Sequence, residues 1–175
     1  MPRVKAVLDT NVIVSALLKA DGRQALLLDL ALSGTFTTIA SRDLLQEYEE
    51  VLRRPRFALN PRRIAGSLRA IRKAAVLVQP RRHLHVTGDP DDNMVLECAL
   101  EGGAEYVVTG NTRDFPREFQ GIQIVPPRAS VASVARTTEF VIRVPSAPRR
   151  TYSPQFVASA TETPQTATAA VSATH

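Results

Sequence analysis

The sequence predicts an α/β protein, with a central parallel sheet covered by helices on both faces and a tail outside the fold. Short apolar runs rich in Val and Ile alternate with longer stretches at helical spacing, and Gly and Pro fall between them as breaks. Composition then changes abruptly after Arg128. Such alternation is what parallel strands joined by crossover helices require, because both faces of the sheet are buried.

In chain order, Val4 to Leu8 reads as a buried strand and Asn11 to Ala20 as a helix, so Asp9 stands at a strand end. "RQALLLDLALSG" predicts a second helix, stopped by Gly34. "TFTTIA" follows as a strand, and Ser41 can cap a helix that runs to Arg54 before Pro55, burying Leu44, Leu45, Tyr48, Val51 and Leu52. Arg62 to Ala74 predicts another helix and "AVLVQP" a third strand. Asp89 caps a helix with Pro90 at its first position and Met94, Val95, Cys98 and Ala99 on its apolar face, ended by Gly102 and Gly103. "AEYVVT" and "GIQIV" complete five strands.

These elements place one domain at 1–128 and a tail at 129–175. In the tail, 24 of 47 residues are Ala, Ser or Thr and four are Pro, a composition that predicts disorder over most of its length. "EFVIRV", Glu139 to Val144, is the exception and reads as a strand that could add to a sheet.

The totals bound the function. A chain of 175 residues at 44% hydrophobic content can bury one core. Cys98 is the only cysteine, which excludes an intrachain disulfide or a thiolate zinc site and favours a reducing cytoplasm. No run approaches the ~20 apolar residues of a membrane span, so no membrane role is expected. No Gly-rich turn follows the first strand, which sets aside a dinucleotide-binding domain.

Functional groups of an open parallel sheet gather at the carboxyl ends of its strands. Asp9 follows strand one, Glu47 lies on the helix after strand two, Asp89, Asp91 and Asp92 open the helix before strand four, and Asn111 and Asp114 follow that strand. Acids with no Lys or Arg among them repel one another, so they need raised pKa values or a cation. Magnesium or manganese suits such an oxygen set and suits phosphodiester chemistry. Each acid also has a plainer reading: Asp9 as a helix cap, Asp92 as a first-turn acid favouring the helix dipole, Glu47 or Glu49 as a solvated glutamate. Periodicity does not choose between Glu47 and Glu49.

"VLDTNVIVSALL", "SRDLLQEYEEVLRRPRF", "DPDDNMVLECALEGGAEYVVTGNTRDFP" and "IQIVPP", in that order, resemble a PIN-domain protein of the kind found as toxins in toxin-antitoxin systems. The resemblance runs from about Val4 to Arg128. It implies a three-layer α/β/α fold and an Mg2+- or Mn2+-dependent endoribonuclease. It further implies an antitoxin partner and a homodimer. Carried over by position, the metal-holding acids fall on Asp9, Glu47 and Asp92. A fourth acid expected after strand four is replaced by Asn111, for which Asp114 stands three residues on as a substitute. Asn11 and Ser15 look like supporting polar groups.

Between Val51 and Gly88 there is no Asp or Glu and there are ten Lys or Arg, including Arg53, Arg54, Arg56, Arg62 and Arg63, the expected contacts to an RNA backbone. Sparse aromatics argue against base stacking as the main source of affinity; Phe57 and Phe115 read as core. His83 and His85 in "HLH" offer acid-base groups with no assigned partner. Two other readings compete. A phosphohydrolase with a nucleophilic aspartate would want a second acid where Asn11 stands. A PIN-like module that binds RNA or a partner with weak or no cleavage is consistent with Asn111.

Overall fold

The computed structural model describes residues 3–129. β1 (Lys5–Leu8) leads into α1 (Thr10–Leu18) and α2 (Arg23–Leu32), and β2 (Thr37–Ser41) into α3 (Arg42–Leu52). A 3-10 turn (Pro55–Phe57) joins α3 to α4 (Pro61–Ala74), which ends at β3 (Val76–Val78). Then come α5 (Pro90–Gly102), β4 (Tyr106–Val108), β5 (Glu118–Phe119) and β6 (Ile122–Val125). The segment 139–144, expected as a strand, lies outside the described residues.

The sheet order is β3-β2-β1-β4-β6-β5, parallel throughout except for the β5–β6 pair. The chain steps from β1 outward to β2 and β3, then α5 carries it back across the sheet to β4. Right-handed crossovers in opposite directions put α1 to α4 on one face and α5 on the other. β1 is central, with Val7 opposite Ile39 of β2 and Val107 of β4, all three buried. Each large apolar side chain so enclosed stabilises the fold by about 1.5–3 kcal/mol.

The expected elements are present with ends shifted by one or a few residues, and the expected caps form. Ser41 Oγ accepts from the Leu44 amide at 3.1 Å, and Asp89 Oδ1 from the Asp91 amide at 2.9 Å. The sixth strand was not expected. β5 has two residues, too few for any periodicity, and reverses into β6 through Gln120 and Gly121, at φ +50° and +84°. Gly102 is part of α5 rather than its stop: a Cβ there would meet Ile39 Cγ2 at 2.5 Å, so the glycine lets the helix lie close on β2. Gly103, at φ +60°, ends the helix.

Tyr48 is buried in this framework, and its hydroxyl donates to the Leu8 carbonyl. One side chain of α3 thereby fixes that helix to the end of β1. Tyr48→Phe should leave the buried carbonyl short of a partner and cost about 1–2 kcal/mol. Urea unfolding measures this; an unchanged midpoint would show that the bond does not hold α3.

Candidate active site

At the carboxyl edge of β1 and β4 lie three buried polar residues, Asp9, Thr10 and Thr109. Asp9 is 6% exposed and directly follows Leu8, its amide donating to the Val108 carbonyl at 2.9 Å. It occupies the N-cap position of α1 but its side chain makes no capping bond. Instead Asp9 Oδ2 accepts from Asn11 Nδ2 and from Thr109 Oγ1, each at 2.6 Å. Asn11 Nδ2 also reaches Thr109 Oγ1 at 3.1 Å, and Asn11 Oδ1 accepts from the Gly110 amide at 2.8 Å. A side chain at Gly110 would crowd Asn11 Oδ1, its Cβ meeting that oxygen at 3.2 Å. Asp9 is thus clamped between two adjacent strand ends.

Glu47 projects from α3 toward this clamp. Its pKa is pushed up to about 7, first by burial and then by the charges of Asp91, Asp9 and Asp89, while the nearby Thr10 hydroxyl offsets part of the rise. That offset does not amount to a formed hydrogen bond, since Glu47 Oε2 and Thr10 Oγ1 are both buried without a partner of normal geometry. Glu49 faces outward and pairs with Arg53 at 2.6 Å. The two glutamates that periodicity left equivalent therefore have different surroundings.

Asp92, at the start of α5, is raised to about 6 by burial, then by Asp9, Asp89, Asp114 and Asp91. Asp9 is raised too, burial outweighing the lowering by Thr109, Thr10 and Asn11. Three elements thus bring Asp9, Glu47 and Asp92 within electrostatic reach of one another. Among the described residues, no Lys or Arg forms an ion pair with any of these three acids.

The remaining candidates divide. Asn111 and Asp114 are exposed, and Asn111 Nδ2 donates to Asp114 Oδ2, so the two act together on the rim, with Asp114 near enough to raise Asp92. Ser15 stands one turn beyond Asn11 on α1, and among the described residues no hydrogen bond joins its hydroxyl to an acid. Arg53 is engaged by Glu49, and Arg56 lies 4.6 Å from the Phe57 ring centre. Arg54 and Arg62 are exposed, whereas Arg63 is half-buried with an unpartnered Nε. Thr109 is the member that sequence reasoning passed over. Its signal was a threonine at the end of an apolar strand, directly before Gly110.

The PIN domain model matches residues 5–113, more than half of the chain and all of the elements that carry Asp9, Glu47, Asp92 and Thr109. The chain belongs to the PIN domain family. An uncharacterized protein of Methanocaldococcus jannaschii is 30% identical over 112 residues, covering 62% of this chain and 72% of that protein. PIN domains are generally nucleases and typically use Mg2+ or Mn2+.

The donor set of this PIN domain fits such an ion chemically: carboxylate oxygens, no neutralising cation, and a buried Glu47 Oε2 that lacks a partner. Among the described residues, no three His, Cys, Asp or Glu side chains already close on one point. No helix among the described residues is long and apolar enough to cross a membrane. Cys98 is buried in the core, its thiol pushed up to about 12 by burial, in keeping with a packing role.

Burial favours neutral Glu47, so the folded protein keeps a proton that the unfolded chain releases between its ordinary value of 4.5 and about 7. Without divalent metal, the stability this group contributes is full below that window and is lost as pH rises through it. Calorimetry in EDTA should show the melting temperature falling across the window, and falling less for Glu47→Gln. Equal falls in both proteins would mean that Glu47 carries no such proton.

Proposed function

We propose that this PIN domain protein is a metal-dependent endoribonuclease, the toxin of a toxin-antitoxin pair. The observation that carries the reading is the cation-free set of acids at one sheet edge, a buried Asp9 locked in position beside half-buried Glu47 and Asp92, with Glu47 pushed up to about 7. Self-repelling carboxylates are costly to a fold, and a divalent cation offsets that cost. Asp9, Glu47 and Asp92 would hold Mg2+ or Mn2+, with Asn111 and Asp114 on its open side.

When bound, the ion supplies an activated water and stabilises charge that develops on the phosphate. The chain's own residues do the rest. Thr109 and Asn11 keep Asp9 Oδ2 oriented and satisfied, so the carboxylate pays little reorganisation on binding. Glu47 and Asp92 must give up their protons first, which makes loading of the site favourable toward neutral pH and above. The exposed arginines Arg54 and Arg62 follow α3 in the chain and are suited to phosphates of the RNA backbone.

A second reading has one observation in its favour. Asn111 stands where the resemblance expects an acid, and its amide is engaged by Asp114. With one negative charge fewer, the site would hold metal less firmly, as in a PIN-like module that binds RNA or a partner with little cleavage. The antitoxin and the homodimer belong to the proposal and rest on the resemblance; the cytoplasmic location belongs to it too and rests on the single cysteine.

Asp9→Asn should abolish cutting of a labelled single-stranded RNA while circular dichroism and melting stay close to wild type. The wild-type activity should depend on Mg2+ or Mn2+ and vanish in EDTA; wild-type rates in the variant would sink the mechanism. Arg54→Glu together with Arg62→Glu should weaken RNA binding and reduce the slope of log affinity against log salt by roughly 1.4, about 0.7 for each lost phosphate contact. Unchanged binding would remove these arginines from the RNA path.

A further inference from the structure

Between α3 and α5, beside the acids, the surface opens into a cleft that none of the roles above uses. Asp43 enters it from the first turn of α3, His83 and His85 from the segment before α5, and Met94 and Glu97 from α5. Pro90 lines the same cleft, and its neighbours in sequence are Asp89 and Asp91, so the cleft adjoins the acids. Asp43 precedes Glu47 by one turn of the same helix, about 6 Å along its axis.

The wall that carries the histidines is held in place. Glu101 Oε2 accepts from the Arg81 amide at 3.4 Å, Glu97 Oε1 from the Leu84 amide at 2.7 Å, and Asn93 Oδ1 from the Val86 and Thr87 amides at 2.9 Å each. Three acceptors spaced four residues apart on α5 thereby strap down residues 81–87. Leu84 packs against the core, while His83 and His85 on either side of it are exposed. His83 Nδ1 also lies 3.9 Å from Glu97 Oε1.

We propose that this cleft is a nucleobase subsite that seats one unpaired base of the substrate and favours guanine. The inference rests on the ribonuclease reading and adds to it the class of nucleotide that the protein selects. Imidazoles stack on the face of an unpaired base, and the Met94 thioether adds polarizable apolar surface. Asp43 and Glu97 bring acceptors only, so the preferred edge is one rich in N–H donors. Guanine offers its ring N–H and its amino group side by side, and both can meet one carboxylate. Adenine and cytosine offer a single amino group. Uracil flanks its one N–H with two carbonyl oxygens, which a carboxylate repels. A duplex hides this edge, so the seated nucleotide is single-stranded.

The test is an NMR titration of the full chain with GMP and with UMP, which share sugar and phosphate. GMP should bind roughly tenfold more tightly than UMP, the discrimination expected of one good bidentate contact, and should shift signals of Asp43, His83 and His85. Asp43→Asn should erase most of the preference, and His83→Ala with His85→Ala should weaken both nucleotides. Equal affinities, or shifts elsewhere on the protein, would overturn the subsite even if RNA is cut. GMP binding in this cleft, with no cutting of any RNA, would keep the subsite and overturn the ribonuclease reading.

Discussion

The constraint on which the site depends is the burial of the Asp9 carboxylate without a positive partner. A carboxylate in that position has to be stabilised by hydrogen bonds, and two neutral side chains supply them. Thr109 comes from the end of the adjacent strand and Asn11 from the first turn of the helix that Asp9 begins. Burial first, and the like charges of neighbouring acids after it, shift Asp9, Glu47 and Asp92 all in one direction. Structure and electrostatics therefore agree on one place in the molecule where charge is held at a cost.

The helices serve that place unequally. α3 is tied to β1 by Tyr48, so the backbone that carries Glu47 is registered against the backbone that carries Asp9. α5 is drawn onto the sheet by the missing side chain of Gly102 at one end. At its other end, Asn93 also donates to the carbonyls of Thr87 and Asp89, fixing the entry to the helix where Asp92 sits. Packed helices thus position Glu47 and Asp92, while Asn111 and Asp114 occupy an exposed loop.

Much of the fold was legible because its signals are local. Ser41 and Asp89 cap the helices they were expected to cap, and the alternation of elements identified a parallel sheet. β5 was not legible, since a two-residue strand exists only by pairing with β6. The acids could be found as a group because a strand end and two helix starts have sequence signatures. The difference between Glu47 and Glu49 could not be read from periodicity, because both flank the buried stripe and only the position of β1 separates them. Thr109 stayed hidden for a related reason: its partners Asp9 and Asn11 are 100 and 98 residues away.

That separation has a consequence for the order of events during synthesis. β4 lies beside β1 in the middle of the sheet although it is made nearly a hundred residues later. Until it inserts, Asp9 lacks the Thr109 hydroxyl, the Gly110 amide has not engaged Asn11, and the rim formed by Asn111 and Asp114 does not exist. A fragment that ends before β4 can contain Asp9, Glu47 and Asp92 and still lack both the clamp on Asp9 and the rim beside it. The edge where the acids gather therefore takes its final form only once the central strand is in place.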